Sequence, residues 1–261
     1  YDISQGYVVD ATLEYVHSSE RDLARKHISK LESVDLIENS LIIFDRGYFS
    51  TDMFNFLVDA GCSCLMRIKK STTSLTGSEE DDIVLDSVKY HTNIRVVQVE
   101  LSTGEIEYLV TNILDPNITP EMLKKLYHKR WKIESKYYEL KEHWELEQFN
   151  GATSRSIEQE FFITLTKSNF CSIIKNEADR RIDLQSTGKE TKKYQCTRSH
   201  LIGRLAVLFP MYLTGQAVNT TLEDLVMEGM QNKSLIQPGR HKKRKMPKEH
   251  KTHSKNRKTT T

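Results

Sequence analysis

The order of strand-like and helix-like segments in the first 70 residues constrains the fold most. The segment YDISQGYVVDATLEYV (1–16) alternates apolar and polar residues around a Ser-Gln-Gly turn, which predicts two strands. Two serine-capped helical patterns, SSERDLARKHISKLES and STDMFNFLVDAG, then alternate with the short apolar runs SLIIF and CSCLMRIK. This order is typical of an α/β layer, so we expect a mixed sheet flanked by helices.

Residues 71–114 interrupt that order. After a polar stretch, the segments IRVVQVEL and EIEYLVTNI alternate in hydrophobicity around Ser-Thr-Gly, which predicts a β hairpin. We interpret 71–114 as a β-rich insertion. The chain is then predicted to comprise a core at 1–185, a helical segment at 186–237 and a basic tail at 238–261.

The charge is unevenly distributed, although the net charge is only +2. Residues 238–261 contain ten of the 38 Lys and Arg residues but only one of the 36 Asp and Glu residues. The chain upstream therefore has 28 basic and 35 acidic residues. The tail has no apolar period and is predicted to be disordered. Two roles are open for it, nonspecific phosphate binding and simple solubilisation.

Composition argues against a membrane span and a disulfide framework. No run approaches the roughly 18 apolar residues of a transmembrane helix. Four cysteines do not make a disulfide framework in a chain this long. Cys62 and Cys64 have no second metal-ligand pair at suitable spacing. We interpret the cysteines as reduced, cytosolic thiols.

A helix is predicted to start at Pro120, a residue suited to the first helical position. At about 100° per residue, Tyr127, Arg130, Glu134 and Lys141 fall within one sector of about 60°. This sector borders a predicted buried stripe made of Met122, Leu126, Ile133, Tyr137, Leu140 and Trp144. The far side is predicted to face solvent and carries Lys124, Lys125, His128, Lys129, Lys132, Lys136 and Glu139.

These charges have a chemical use. A carboxylate on a rigid helix, with Arg and Lys one or two turns away, can hold a divalent metal while the cations bind neighbouring phosphates. The alternative is that Glu134 simply pairs with Arg130 one turn earlier, a common helix pair. Asp45 supplies a second carboxylate, since it ends the apolar run LIIF before a glycine turn, where open α/β sheets place ligand-binding groups. An Asp there is also an ordinary turn former.

Asp45 in FDRGY is followed by a β-rich segment and then by Tyr127, Arg130, Glu134 and Lys141, separated by two, three and six residues. This pattern resembles the DDE transposases of bacterial insertion sequences, the group known for a Tyr-Arg-Glu-Lys motif. The resemblance implies a ribonuclease H-like core whose Asp, Asp and Glu bind two Mg²⁺ ions, with Mn²⁺ as a substitute. It makes Asp45 the second Asp and Glu134 the Glu. Arg130 and Lys141 would contact DNA phosphates, and Tyr127 would help position the strand.

The resemblance covers most of residues 1–185 and implies cut-and-paste transposition. Water would cleave at the transposon ends, and the freed 3′-hydroxyl would then attack target DNA. The implied partners are double-stranded DNA and a second copy of the chain, as a homodimer in the DNA complex, in the cytoplasm of a bacterium near its nucleoid. Trp131 flanks the motif sector and is a candidate for stacking on a base. Three gathered carboxylates are expected to raise the pKa of at least one of them.

The first Asp of the family pattern is not found at its expected place. In that pattern it ends the first core strand, and residues 1–16 look like the second and third strands. We therefore expect an N-terminally truncated core that is inactive alone, with Asp2 and Asp10 as possible substitutes. Two alternatives stay open, another metal-dependent nuclease of the ribonuclease H-like fold and a noncatalytic DNA-binding remnant of a mobile element.

Overall fold

The computed structural model describes residues 1–14, 17–86, 88–101, 103–186, 193–216 and 219–236. The chain divides into two compact units. The sheet unit comprises Asp10–Lys132, and the helical unit comprises Tyr1–Val9 together with the chain from Ile133 onwards. The predicted basic tail at 238–261 lies outside the described residues. The other predicted domain boundaries remain predictions.

The sheet unit is built on a mixed sheet whose five strands, within the described residues, have the order β1-β2-β5-β4-β3. The strands are β1 (Leu41–Phe44), β2 (Ser63–Ile68), β3 (Asp82–Leu85), β4 (Ile94–Glu100) and β5 (Ile106–Thr111). Strands β1 and β2 are parallel, and the other neighbours are antiparallel. The predicted α/β class with a mixed sheet is confirmed. The predicted hairpin is β4 and β5, and β5 joins it to β2 in the same sheet.

Helices cover both faces of this sheet. Helix α1 (Glu20–Glu32) and helix α2 (Thr51–Asp59) begin at serine caps and pack on one face, where Phe54 meets Met66 of β2 in an apolar core. A short helix α3 (Thr73–Thr76) follows β2. Helix α4 (Pro120–His128) packs on the other face through Leu123 and Tyr127, against Leu65 and Leu109. Because β2 is buried on both faces, its residues 64–68 form an apolar run interrupted only at Arg67.

The predicted continuous helix from 120 is interrupted. A 3₁₀ turn, Lys129–Trp131, separates α4 from helix α5 (Lys132–Glu142). A 3₁₀ turn has 3.0 residues per turn instead of 3.6, so one helical wheel does not describe both helices. Two members of the predicted buried stripe, Met122 and Tyr137, are accordingly 47% and 54% exposed.

The predicted strand pair at the N-terminus is wrong for its described part, since residues 1–14 form no strand. Val8 N–H donates to Asn169 Oδ1 at 2.8 Å, and Asn169 Nδ2 donates to the Val8 carbonyl at 2.8 Å. A side chain thus satisfies main-chain groups that a neighbouring strand would otherwise satisfy. Sequence alternation indicates an extended backbone, but it does not supply a partner for the backbone.

The helical unit is organised around one long helix, α6. Its other elements, within the described residues, are α5, two further helices and a small antiparallel β pair. The elements are α6 (Ser154–Gln185), β6 (Tyr194–Cys196), α7 (Arg198–Leu213), α8 (Leu222–Gln231) and β7 (Lys233–Leu235). Thr153 caps α6 through a reciprocal bond with Ser156, and Leu201 and Leu225 are buried in α7 and α8. Within the described residues, no helix has the combination of length and apolar character that crossing a bilayer requires.

Replacing Gly61 with Ala is expected to destabilise the protein by about 1–2 kcal/mol. Gly61 follows α2 with φ +73°, a conformation that a Cβ disfavours, and the added methyl meets no atom within 4 Å. The cost is therefore one of backbone conformation alone. Gly47→Ala is the matched control, because its methyl is also free of contacts and its φ is not left-handed. Urea unfolding measures both, and equal losses would contradict this reasoning.

Candidate active site

Asp45 lies immediately after β1, at the carboxyl end of a strand that runs parallel to β2. Its Oδ1 accepts hydrogen bonds from the Arg46 N–H at 2.6 Å and from the Tyr127 hydroxyl at 3.2 Å. Tyr127 is only 4% exposed, because it packs between α4 and the sheet. The sheet unit thus brings together two residues that the sequence places 82 positions apart.

The surroundings of Asp45 favour its ionised form. Burial alone would raise the pKa of Asp45, but the Arg46 N–H, the Arg130 charge, the Tyr127 hydroxyl and the Arg67 charge together lower it below its ordinary value. Burial and the adjacent Asp45 charge raise the pKa of Tyr127 to about 12, so its hydroxyl remains a donor at neutral pH. The expected rise in a carboxylate pKa does not hold for Asp45, because cations and a hydroxyl surround it in this unit.

Arg130 and Trp131 lie in the 3₁₀ turn, beside Tyr127. The Arg130 guanidinium carbon lies 5.7 Å from the Tyr127 ring centroid and 5.0 Å from the Trp131 ring centroid, both within cation–π range. Trp131 remains 43% exposed. The two rings therefore position a cation whose charge reaches Asp45. The DNA contacts assigned to Tyr127, Arg130 and Trp131 remain predictions.

Sequence reasoning missed Arg67. Its Nη1 lies 2.9 Å from Oε1 of Glu107 on the adjacent strand β5, and its charge acts on Asp45. The signal was present in the sequence, since Arg67 and Glu107 stand within otherwise apolar strands and a charge there needs a partner.

Glu134 and Lys141 lie on α5, in the helical unit, and both are exposed. Lys141 Nζ lies 2.6 Å from Glu147 Oε1. The sheet unit therefore contains Asp45, Tyr127 and Arg130 at one place, while α5 carries the other two residues of the motif. The roles predicted for all five remain predictions.

Two residues predicted to face solvent, Lys136 and Glu139, instead form a largely buried charged cluster. Lys136 is 3% exposed, and its Nζ donates to Ser168 Oγ at 2.6 Å and to Glu139 Oε1 at 3.2 Å. Arg198 Nε lies 2.6 Å from Glu139 Oε2, and Trp144 Nε1 donates to Glu139 Oε1 at 3.1 Å. We call these five residues the Glu139 cluster. It holds α5 against α6 and α7, and the sequence did not predict it because partners on other helices leave no periodic pattern.

The metal-binding capacity of Asp45 follows from its hydrogen bonds. Both bonds described above go to Oδ1, and the carboxylate is ionised, so Asp45 has the hard oxygen donor that Mg²⁺ prefers. Asp2 and Asp10, the suggested substitutes for the first Asp of the family pattern, are engaged in other contacts. Asp2 accepts a hydrogen bond from Ser4 N–H at 2.7 Å, and Asp10 pairs with His27 at 2.6 Å. Among the described residues, no three Asp, Glu, His or Cys side chains are grouped to hold a metal.

Residues 1–170 match the family model described as "Transposase DDE domain". The chain therefore belongs to the DDE transposase family. A comparison with curated proteins gave no match. Among solved structures, the chain is similar to the cryo-EM structure of a piggyBac transposase synaptic complex with hairpin DNA, at 10% identity and a TM-score of 0.48. That alignment covers 87% of this chain and 48% of the other, so the chain spans about half the length of that relative.

Proposed function

We propose that this protein catalyses cut-and-paste transposition, cleaving phosphodiester bonds at transposon ends and transferring the freed strand into target DNA. The observation that carries the proposal is Asp45 at the end of β1, which the Arg46 N–H, the Arg130 charge and the Tyr127 hydroxyl hold ionised. Residues 1–170 of the same chain match the transposase family model. We also assign the chain to the bacterial insertion-sequence group with the Tyr-Arg-Glu-Lys motif and to the ribonuclease H-like fold. The N-terminal truncation stays a prediction.

Asp45 and Glu134 are the proposed ligands of Mg²⁺, for which Mn²⁺ is the expected substitute. When bound as a pair, the ions supply an activated nucleophile and stabilise the leaving oxygen. Arg130 and Lys141 neutralise phosphates of the strand being cut, and Trp131 stacks on a base. Tyr127 orients Asp45 through the hydrogen bond to Oδ1.

The proposed partner is double-stranded DNA, first the transposon ends and then the target. Two ends must be held together during transposition, so we propose a homodimer in the DNA complex. The proposed location is the bacterial cytoplasm, at the nucleoid.

One observation favours a second candidate function. Asp2 and Asp10 are engaged in other contacts, and the described residues group no three metal ligands. This pattern also fits a noncatalytic DNA-binding remnant of a mobile element.

The test uses the full protein encoded by the mobile element, which contains these residues. Its DNA substrate is a duplex that carries a marker between the inverted repeats of that element. Excision of the marker and its joining to a target duplex are expected with Mg²⁺ and are lost on chelation. Binding without cleavage in both Mg²⁺ and Mn²⁺ would contradict the proposal and support the remnant.

Replacing Tyr127 with Phe is expected to lower the excision rate roughly tenfold to 100-fold, the usual effect of removing a partner that orients a metal ligand. The Mg²⁺ concentration for half-maximal rate should rise as well, because Asp45 loses a donor to Oδ1. Tyr90→Phe is the control, since Tyr90 is equally buried in the same unit and packs edge-on against Phe54. A Tyr127→Phe protein with the Mg²⁺ dependence of the wild type would show that the hydrogen bond has no positioning role.

A further inference from the structure

The outer side of α4 and of the turn after it is basic. Lys125, His128 and Lys129 are all exposed and follow one another at intervals that place them on one side of a helix. We call these three residues the basic stripe. No Asp or Glu occurs from position 122 to position 133. The stripe is thus a local excess of positive charge.

The basic stripe is separate from the ion pairs of the described residues. Within the part of the chain that the structure describes, no carboxylate forms an ion pair with Lys125, His128 or Lys129. Other lysines face carboxylates, as do Lys26 with Glu14, Lys30 with Asp10, Lys141 with Glu147 and Lys175 with Asp179. The residues upstream of 238 carry 28 basic and 35 acidic side chains, so the stripe has the opposite sign to the body of the chain.

The stripe is also fixed in place. The inner side of α4 is buried through Leu123 and Tyr127, and the cap at Thr119 defines its start. Lys125 and His128 lie on the other side of the same helix, roughly 100° to 160° around the axis from Tyr127, and Lys129 is the C-cap residue of that helix. The helix therefore presents these basic side chains at set positions, while its inner side contacts Asp45.

We propose that the basic stripe binds the phosphate backbone of duplex DNA. This inference rests on the proposed function, since it assigns a further surface to the same substrate. Lysine binds phosphate as a point charge and displaces condensed counterions, so the contact strengthens as salt falls. Contacts of this kind fix the register of a protein on DNA and carry no sequence information. The stripe therefore binds transposon ends and unrelated duplexes alike.

The test measures equilibrium binding to a labelled duplex without metal, between 50 and 200 mM salt. The variant is Lys125→Gln with Lys129→Gln. The slope of log affinity against log salt is expected to become shallower by about 0.9 per lost phosphate contact, or about 1.8 for both lysines. The same change is expected on the element's end and on an unrelated duplex of equal length.

Lys69→Gln with Lys70→Gln is the matched control, because these lysines are exposed, lie in the same unit and change the charge equally. The basic residues of 238–261 are common to every protein compared, so their contribution cancels in the difference of slopes. A wild-type slope for the stripe variant, or an equal change in the control, would overturn the inference. Binding is measured without cleavage, so a failure to excise DNA contradicts the proposed function without affecting this result.

Discussion

Asp45→Asn is expected to reduce the excision rate by more than about 100-fold. Removing a group that only supports a metal ligand costs about 10-fold to 100-fold, and Asp45 is proposed to be a ligand itself. Asparagine keeps the size and the acceptor oxygen that Arg46 N–H and the Tyr127 hydroxyl use, but it removes the negative charge. Glu134→Gln is expected to have a comparable effect for the same reason. Band intensities of excised DNA at several Mg²⁺ concentrations measure both variants.

Two control variants test whether the loss of excision comes from losing a metal ligand or simply from losing a negative charge. Asp59→Asn in the sheet unit and Glu142→Gln on α5 remove exposed carboxylates and should excise at nearly the wild-type rate. DNA binding by all four variants should persist, since the basic side chains are unchanged. An Asp45→Asn protein that excises within tenfold of wild type would remove Asp45 from the proposed metal site.

Glu139→Ala is expected to destabilise the protein by about 3–5 kcal/mol, the usual effect of removing one partner from a buried ion pair. The substitution leaves Lys136, which is almost fully buried, and Arg198 without their shared carboxylate. Glu142→Ala on the same helix is exposed and should change the free energy of unfolding by less than about 0.5 kcal/mol. Urea unfolding measures both, and equal effects would contradict the importance of the Glu139 cluster.

The contribution of Glu139 should also depend on pH. Burial alone would raise the pKa of Glu139, but the Arg198 and Lys136 charges outweigh it and hold the pKa below its ordinary value. A carboxyl whose pKa is lowered on folding stabilises the protein above its unfolded pKa, and this stabilisation is lost as the pH falls through the folded pKa. The stability difference between wild type and Glu139→Gln should therefore shrink below about pH 4.5, the ordinary pKa of Glu.

Much of the sheet unit was predictable because its signals are local. The apolar runs of β1 and β2, the serine caps of α1 and α2 and the alternation in β4 and β5 each lie within about ten residues. The prediction was wrong for residues 1–14, because alternation predicts an extended chain but not the neighbouring strand that it would pair with. In that segment, the partner of Val8 is a side chain on α6.

The candidate site was predictable in part. The place of Asp45 after an apolar strand and the spacing of the motif residues make them candidates, and their roles stay predictions. The Tyr127 hydrogen bond to Asp45 joins residues 82 positions apart, and the pairing of Arg198 with Glu139 joins residues 59 apart. Contacts at such separations depend on how whole elements pack, and a single sequence does not encode them as a periodic pattern.

Tyr127 has two structural tasks at once. Its ring belongs to the apolar cluster of Leu65, Leu109 and Leu123, and its hydroxyl restrains one oxygen of Asp45. The carboxylate is therefore preorganised, because part of the cost of ordering it is met during folding and not when a ligand binds. Interior packing and the orientation of the Asp45 carboxylate are coupled in this arrangement. A change of side-chain volume at Leu123 would be transmitted through the ring of Tyr127 to the orientation of Asp45.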